Sequence, residues 1–171
     1  QLLTLFKTEK IYDNTIFVIF ADHQGIPPKV GFMPDYIYQF DIDDLPVPLI
    51  IHSKDLVMPE QSLAFGNLAD LLPTIAGLFP QPYLNTTLGR DLAADTTNTL
   101  PSYAFAQGKR ESVMFNGKHI GSFNHVTGET RSANIDAQGT AHFTDIPNSM
   151  VDAANAYYTA AQYLLRANVK P

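Results

Sequence analysis

The sequence contains no cysteine. That excludes a disulfide, a thiolate metal site and a cysteine nucleophile within these residues. A chain of this kind suits any compartment, including an oxidising one where stray thiols are a liability. Cationic runs are missing as well, none being longer than Lys109-Arg110. With a net charge of −6 and a pI near 5.1, the chain has no basic patch to hold a phosphate backbone, so nucleic acid is not expected as a partner. No apolar stretch approaches the roughly 18 residues of a membrane-crossing helix, and the first residues carry no signal-peptide pattern.

What is present is the make-up of a packed protein. Of 171 residues, 45% are hydrophobic and 16% charged, enough for one domain or for two small units sharing a core. Gln1-Leu2-Leu3-Thr4-Leu5-Phe6 has no initiator Met and already reads as mid-helix, so further residues are expected upstream.

Leu2, Leu3, Leu5 and Phe6 share a helical face over residues 1–10, and Tyr12-Asp13-Asn14 supplies turn chemistry. Thr15-Ile16-Phe17-Val18-Ile19-Phe20-Ala21 is a continuous apolar run, the pattern of a strand buried on both faces in a parallel sheet covered by helices. Residues 24–45, with Gly25, Pro27, Pro28, Gly31 and Pro34, read as a long functional or covering loop. Val47-Pro48-Leu49-Ile50-Ile51-His52 predicts a second buried strand. Leu68, Leu71, Leu72, Ile75 and Leu78 form the apolar stripe of a helix over 67–78. Asp70 is the expected cap, and Pro73 is tolerated in the first turn.

From about Ser102 to Asp145 the pattern becomes short strands separated by turns. Asn116-Gly117 is a two-residue hairpin signal, and Thr127-Gly128-Glu129 and Gln138-Gly139 mark further turns. Asn148 or Ser149 is expected to cap a last helix with Val151, Ala154, Tyr158, Ala161 and Leu165 on its apolar face. The expected division is an α/β part over 1–100 and an antiparallel unit with a closing helix over 101–171. A sheet with only two strands would leave its edges bare. Partner strands are therefore expected from elsewhere in the protein or from a second copy of the chain.

In open α/β sheets, ligands bind beyond the carboxyl ends of strands. Asp22-His23 follows the first strand directly. A carboxylate beside a neutral imidazole suits Zn²⁺ or Mn²⁺. Adjacent side chains on a regular strand diverge, so both reach one ion only if the chain turns, which Gly25 permits. The alternative is an ordinary loop start, with Asp22 capping a turn and His23 bonded to backbone. Two ligands also fall short of the three protein donors a catalytic site needs.

The remaining candidates carry bland readings. His52 closes the second strand and is a weak substrate-binding or supporting candidate, with a structural role the simpler reading. His119, His125 and His142 read as solvent-facing strand residues. Asp41, Asp43 and Asp44 lack the glycine and terminal glutamate of a Ca²⁺ loop. Asp91, Asp95 and Thr96-Thr97 read as a linker. Tyr157, Tyr158 and Tyr163 are expected to pack a helix on the antiparallel sheet.

The stretch from Ile11 through Asp13-Asn14-Thr15 to Asp22-His23-Gln24-Gly25 resembles the strand and metal-ligand segment of the alkaline phosphatase/sulfatase superfamily. Within it, the stretch is most similar to lipoteichoic acid synthase-like phosphoglycerol transferases and their sulfatase-type relatives. Val47–His52, Asp70-Leu71-Leu72-Pro73-Thr74 and Leu88-Gly89-Arg90-Asp91-Leu92 resemble later motifs of that superfamily, in the same order. The resemblance covers residues 11–92.

The fold it implies is α/β: the C-terminal part of an alkaline-phosphatase-like core, a mostly parallel sheet with flanking helices, followed by a small antiparallel sheet and a C-terminal helix. It also implies that Asp22 and His23 bind a divalent cation, Mn²⁺ or Zn²⁺ first and Ca²⁺ or Mg²⁺ as alternatives. The nucleophile and a further acidic ligand would lie upstream: Thr in phosphotransferases, a modified Cys or Ser in sulfatases. The implied parent is a membrane-anchored, extracytoplasmic enzyme acting on a phosphate or sulfate ester. The chain by itself would be inactive. Sulfatase or phosphodiesterase hydrolysis, or a non-catalytic scaffold keeping the fold, are the alternatives.

Overall fold

The computed structural model describes residues 2–9, 11–23, 31–42, 46–57, 61–62, 64–94, 102–108 and 110–168. Helix α1 (Leu2–Phe6) leads through a 3-10 turn at Tyr12–Asn14 into β1 (Phe17–Phe20). Strand β2 (Leu49–His52) pairs with it. The pairing is antiparallel, with Phe17 opposite His52 and Phe20 opposite Leu49. This corrects the parallel arrangement expected of these two strands. An apolar run signals contact on both faces, but the direction of a strand is set by its connection, which composition does not encode.

Expected burial on both faces is corrected as well. Ile19, Phe20, Leu49 and Ile50 are 45%, 49%, 41% and 52% exposed. At the other end of the ladder, Phe17 lies under the rings of Phe6 and Tyr12, with centroids 5.0 and 5.7 Å away.

The connection between β1 and β2 contains a helix that its prolines and short length conceal. Helix α2 (Asp35–Gln39) starts behind Pro34 and ends in a Schellman arrangement. Ile42 N–H donates to the Ile37 carbonyl and Asp41 N–H to that of Tyr38, both close to 3.1 Å, and Asp41 takes the left-handed φ of 53°. This C-cap geometry brings apolar residues on either side of the turn together: Ile37, Phe40 and Ile42 are all buried in one core. Asp41 therefore caps a helix and pairs at 3.7 Å with Arg131. Asp43 and Asp44 lie outside the described residues.

Helix α3 (Leu71–Gly77) follows a 3-10 turn at Leu68–Asp70. Asp70 stands at the N-cap position of α3, as expected, but its side chain makes no cap bond to that helix; the side-chain cap is on the 3-10 turn, from Asn67. Asn67 Oδ1 accepts from Ala69 N–H at 2.8 Å, and Asp70 Oδ2 accepts from Asn67 N–H at 2.8 Å, closing a capping box. The expected stripe is only partly covered: Leu71, Ile75 and Leu78 are half-buried, Leu68 and Leu72 are exposed, and the fully buried positions are Asp70, Pro73 and Thr74.

These face the segment of residues 88–92. Arg90 donates to Asp70 Oδ2 at 3.3 Å and to the Phe65 and Tyr103 carbonyls at 3.1 and 2.8 Å, with its guanidinium 3.8 Å from the Tyr103 ring centroid. Its backbone N–H donates to Asp70 Oδ1 at 2.7 Å. Gly89 is needed there because a Cβ would run into the Ala69 carbonyl. Gly89→Ala is accordingly expected to lower the urea midpoint by separating the two segments, a loss that an alanine at Gly108, where an added Cβ meets nothing nearer than 3.4 Å, would not reproduce.

The second part is a five-stranded antiparallel meander: β3 (Ala104–Gln107), β4 (Glu111–Phe115), β5 (His119–Asn124), β6 (Thr130–Ile135) and β7 (Ala141–Phe143), in that order. The β4–β5 hairpin forms where Asn116-Gly117 signalled it, but shifted by one residue: Asn116 faces His119, and the two turn residues are Gly117, at φ 83°, and Lys118. Alternation along the strands gives the sheet two apolar faces. Val113, Ile120, Ala133 and Ala141 meet the α2 segment. The opposite face receives α4 (Ser149–Asn168), which buries Val151 and Ala154 and stacks Tyr157 on Phe105. Asn148 accepts from Met150 N–H at 3.0 Å and fixes the helix start to the sheet by donating to the Ile120 and Ala133 carbonyls.

Candidate functional site

Strand β1 stops at Phe20, and the chain bends at Asp22 and His23. Extended geometry would send these neighbours to opposite faces, but the bend brings them to one side. His23 Nε2 lies 3.7 Å from Asp22 Oδ2, with the side chains 61% and 83% exposed respectively. Asp22 Oδ1 also accepts the His23 backbone N–H at 3.0 Å, which holds the carboxylate against the bend. One oxygen of the carboxylate thus orients the turn, while the other stands beside the imidazole.

An oxygen and a nitrogen donor on one side of a strand end suit a borderline divalent cation. They would make only two of the three or four donors a protein gives such an ion. Among the described residues, no group of three or more His, Cys, Asp or Glu side chains gathers to hold a metal. Gln24 and Gly25, the expected turn that follows, lie outside the described residues.

His52 does not belong to this end of the sheet. The expectation that both strand ends reach the same rim assumed parallel strands. Antiparallel pairing sets His52 opposite Phe17, five residues before Asp22, a separation on the order of 16 Å along the strand. There its Nε2 is 2.8 Å from Tyr12 Oη, and its ring packs 6.0 Å from that of Phe17. Tyr12, buried by this cluster, was legible in the sequence only as a turn residue. Its neighbour Asp13 pairs with Lys54 at 2.8 Å, tying the turn to the end of β2.

The other histidines divide. His142 is solvent-facing, as expected, and pairs with Asp136 at 2.7 Å. His119 is half-buried and lines an open groove of about 420 Å³ with Asn134, Thr144, Asp145 and Asn148. His125 departs from the expected solvent-facing position. Its Nε2 is 2.7 Å from Ser112 Oγ, and its ring stacks 3.6 Å from that of Tyr158 on α4. Ser112 is fully buried and also donates to Gln107 Oε1. With its proton committed to that amide, the hydroxyl is a structural link and not an activated nucleophile. Asp91 caps its own turn through Ala93 and Ala94 N–H, and Asp95, Thr96 and Thr97 lie outside the described residues.

Burial pushes the His125 imidazole below its ordinary value of 6.5, against a smaller opposing pull from Glu111. Its neutral form is therefore favoured in the fold. Stability from this group is fully present above about pH 6.5 and is lost as pH falls through the lower folded value, because the unfolded chain takes up the proton first. Urea midpoints measured from pH 7.5 to 5 should decline, and His125→Gln should flatten that decline.

No family model matches the chain, and no curated protein matches it. A solved structure does: a protein in the alkaline phosphatase superfamily from Vibrio parahaemolyticus, with a TM-score of 0.74 and 20% identity. The match takes in 95% of this chain and 38% of that one, so this chain spans less than half the length of its structural neighbour. The two-stranded sheet, five-stranded meander and closing helix together have the fold of part of an alkaline phosphatase superfamily protein.

Proposed function

We propose that this chain is the metal-ligand-bearing portion of a phosphotransferase of that superfamily, of the phosphoglycerol transferase type. Asp22 and His23 supply two donors to a divalent cation, Mn²⁺ or Zn²⁺. The observation that carries the reading is the bend after β1, which gathers a carboxylate and an imidazole within 3.7 Å at a strand end. The fold shared with an alkaline phosphatase superfamily protein supports it. The attacking hydroxyl and the remaining ligands come from polypeptide outside these 171 residues, in an extracytoplasmic, membrane-linked parent acting on a phosphate ester.

The bound cation would draw negative charge from the phosphoryl oxygens and ease deprotonation of the attacking hydroxyl. The part this chain plays is to hold that charge at a fixed point. Asp22 brings a negative oxygen whose partner oxygen is anchored by backbone. His23 brings a nitrogen donor whose position follows from the same bend.

Calorimetric titration of the chain with MnCl2 and ZnCl2 should show one weak site. Asp22→Ala or His23→Ala should weaken it by on the order of a hundredfold, as losses in the ligand shell do. Equal binding by both variants and the parent sequence would refute the assignment. Turnover of p-nitrophenyl phosphate or p-nitrophenyl sulfate is expected from neither the chain nor its variants. Metal-dependent turnover by the chain alone would overturn the placement of the nucleophile elsewhere. In the longer parent, phosphate-ester turnover lost in Asp22→Ala supports phosphotransfer, and sulfate-ester turnover in its place would move the assignment to a sulfatase.

A further inference from the structure

We propose that Asn116 is a site of spontaneous covalent modification. Its side-chain amide closes onto the Gly117 backbone nitrogen, expels ammonia, and is opened by solvent water to aspartate or isoaspartate. In the first step the Gly117 nitrogen bonds to Asn116 Cγ and the Cγ–Nδ2 bond breaks. The Gly117 proton leaves, through solvent, with Nδ2 as ammonia. Water then opens the cyclic imide. Breaking its bond to Cγ leaves aspartate, and breaking its bond to the main-chain carbonyl leaves isoaspartate. Solvent water is the one co-reactant, and no electron is transferred.

Ring closure needs an electrophilic carbon, a nucleophile that nothing else holds, and a leaving group free to depart. Asn116 Oδ1 accepts from Lys118 N–H at 3.1 Å and from His119 N–H at 2.9 Å. Two backbone donors on one carbonyl oxygen draw charge away from Cγ and hold the oxyanion of the tetrahedral intermediate. Among the described residues, the Gly117 N–H has no hydrogen-bond partner, and Asn116 Nδ2 donates to no group. Asn116-Gly117 is the single Asn-Gly step in the sequence, so no Cβ on the following residue obstructs the ring. The two reacting groups are neighbours along the chain, which makes the attack intramolecular.

Asn124 and Asn148 show what sets Asn116 apart. Asn124 Oδ1 also accepts from two backbone N–H groups, those of Val126 and Thr127, at 2.9 and 3.0 Å. Its neighbouring nitrogen is not available, because His125 N–H is committed to the Arg110 carbonyl at 2.8 Å. Asn148 donates through Nδ2 to the Ile120 and Ala133 carbonyls, which ties down its leaving group. The two products at position 116 differ in their effect on the fold. Aspartate keeps an oxygen for the same two N–H donors and charges it. Isoaspartate adds a methylene to the main chain where Asn116 N–H meets the His119 carbonyl, which disturbs the β4–β5 register at its turn.

Peptide mapping by mass spectrometry tests it. The 171-residue chain is aged in mildly alkaline buffer, one sample folded and one unfolded in guanidinium chloride, and both are then cut with trypsin. Cleavage after Arg110, Lys118 and Arg131 puts Asn116 and Asn124 on separate peptides. In the folded sample, Asn116 should change from amide to acid on the order of a hundredfold faster than Asn124. Its peptide should elute as two products of equal mass, aspartate and isoaspartate. In the unfolded sample the gap should narrow, because His125 N–H is released from Arg110. Equal rates at Asn116 and Asn124 in the folded sample would overturn the proposal. So would an Asn116 that stays intact when folded and converts only in guanidinium chloride, which would make the turn a protector of the amide.

Discussion

Asp70→Ala should destabilise the fold by about 3–5 kcal/mol, the loss typical of removing one partner from a buried ion pair. Asp70 is 1% exposed, and its carboxylate accepts from Asn67 N–H, Arg90 N–H and the Arg90 guanidinium. Alanine would take the carboxylate away from the largely buried Arg90 guanidinium and open the capping box ahead of α3. It would also loosen the arginine's grip on the Phe65 and Tyr103 carbonyls, through which the α3 region holds the start of the meander.

Domains of this size have roughly 5–15 kcal/mol in hand, so the urea midpoint should fall sharply. Replacing both partners, as Asp70→Leu with Arg90→Met, should cost less than Asp70→Ala, because both members of the ion pair are removed together. A midpoint for Asp70→Ala within a few tenths molar of the parent would show that the pair is not a structural hub.

Phe40→Ala should lower stability by a similar amount, about 3–5 kcal/mol. Phe40 is fully buried and stacks 5.4 Å from Phe143 at 16°, with the Arg131 guanidinium 4.8 Å from its ring centroid. Truncation leaves a cavity between α2 and the sheet. It also weakens the seat of Arg131, which reaches the Gln39 carbonyl at 2.9 Å and Glu111 at 2.7 Å. Thermal melts should show one lowered transition. An unchanged melting temperature would mean that the α2 segment is not part of the sheet's core.

Phe40 also marks where the sequence was hard to read. Its segment lies among prolines and acids, and α2 is too short for a 3.6-residue period to stand out. Its capping residue, Asp41, was legible only as one of several acids. The meander, by contrast, was legible through Asn116-Gly117, Gly128 and Gly139, because each turn demands a backbone that glycine alone adopts easily.

The apolar runs at 15–21 and 47–52 revealed two strands but not their direction, and that omission misplaced His52. The Asp22–His23 bend could be anticipated as a junction of two donors. Its geometry could not, since it depends on one backbone N–H reaching back to one carboxylate oxygen. The Asp70–Arg90 pair was hidden for another reason: its partners are twenty positions apart, and each looked locally like a cap or a loop residue.

The antiparallel pairing has a mechanical consequence. Because Phe20 faces Leu49, the linker leaving β1 departs and returns on a single rim, beside Asp22 and His23. Midway it is bolted into the meander's interior by Ile37, Phe40 and Ile42. The carboxylate–imidazole bend thus sits at one root of a loop whose apex is anchored in another sheet.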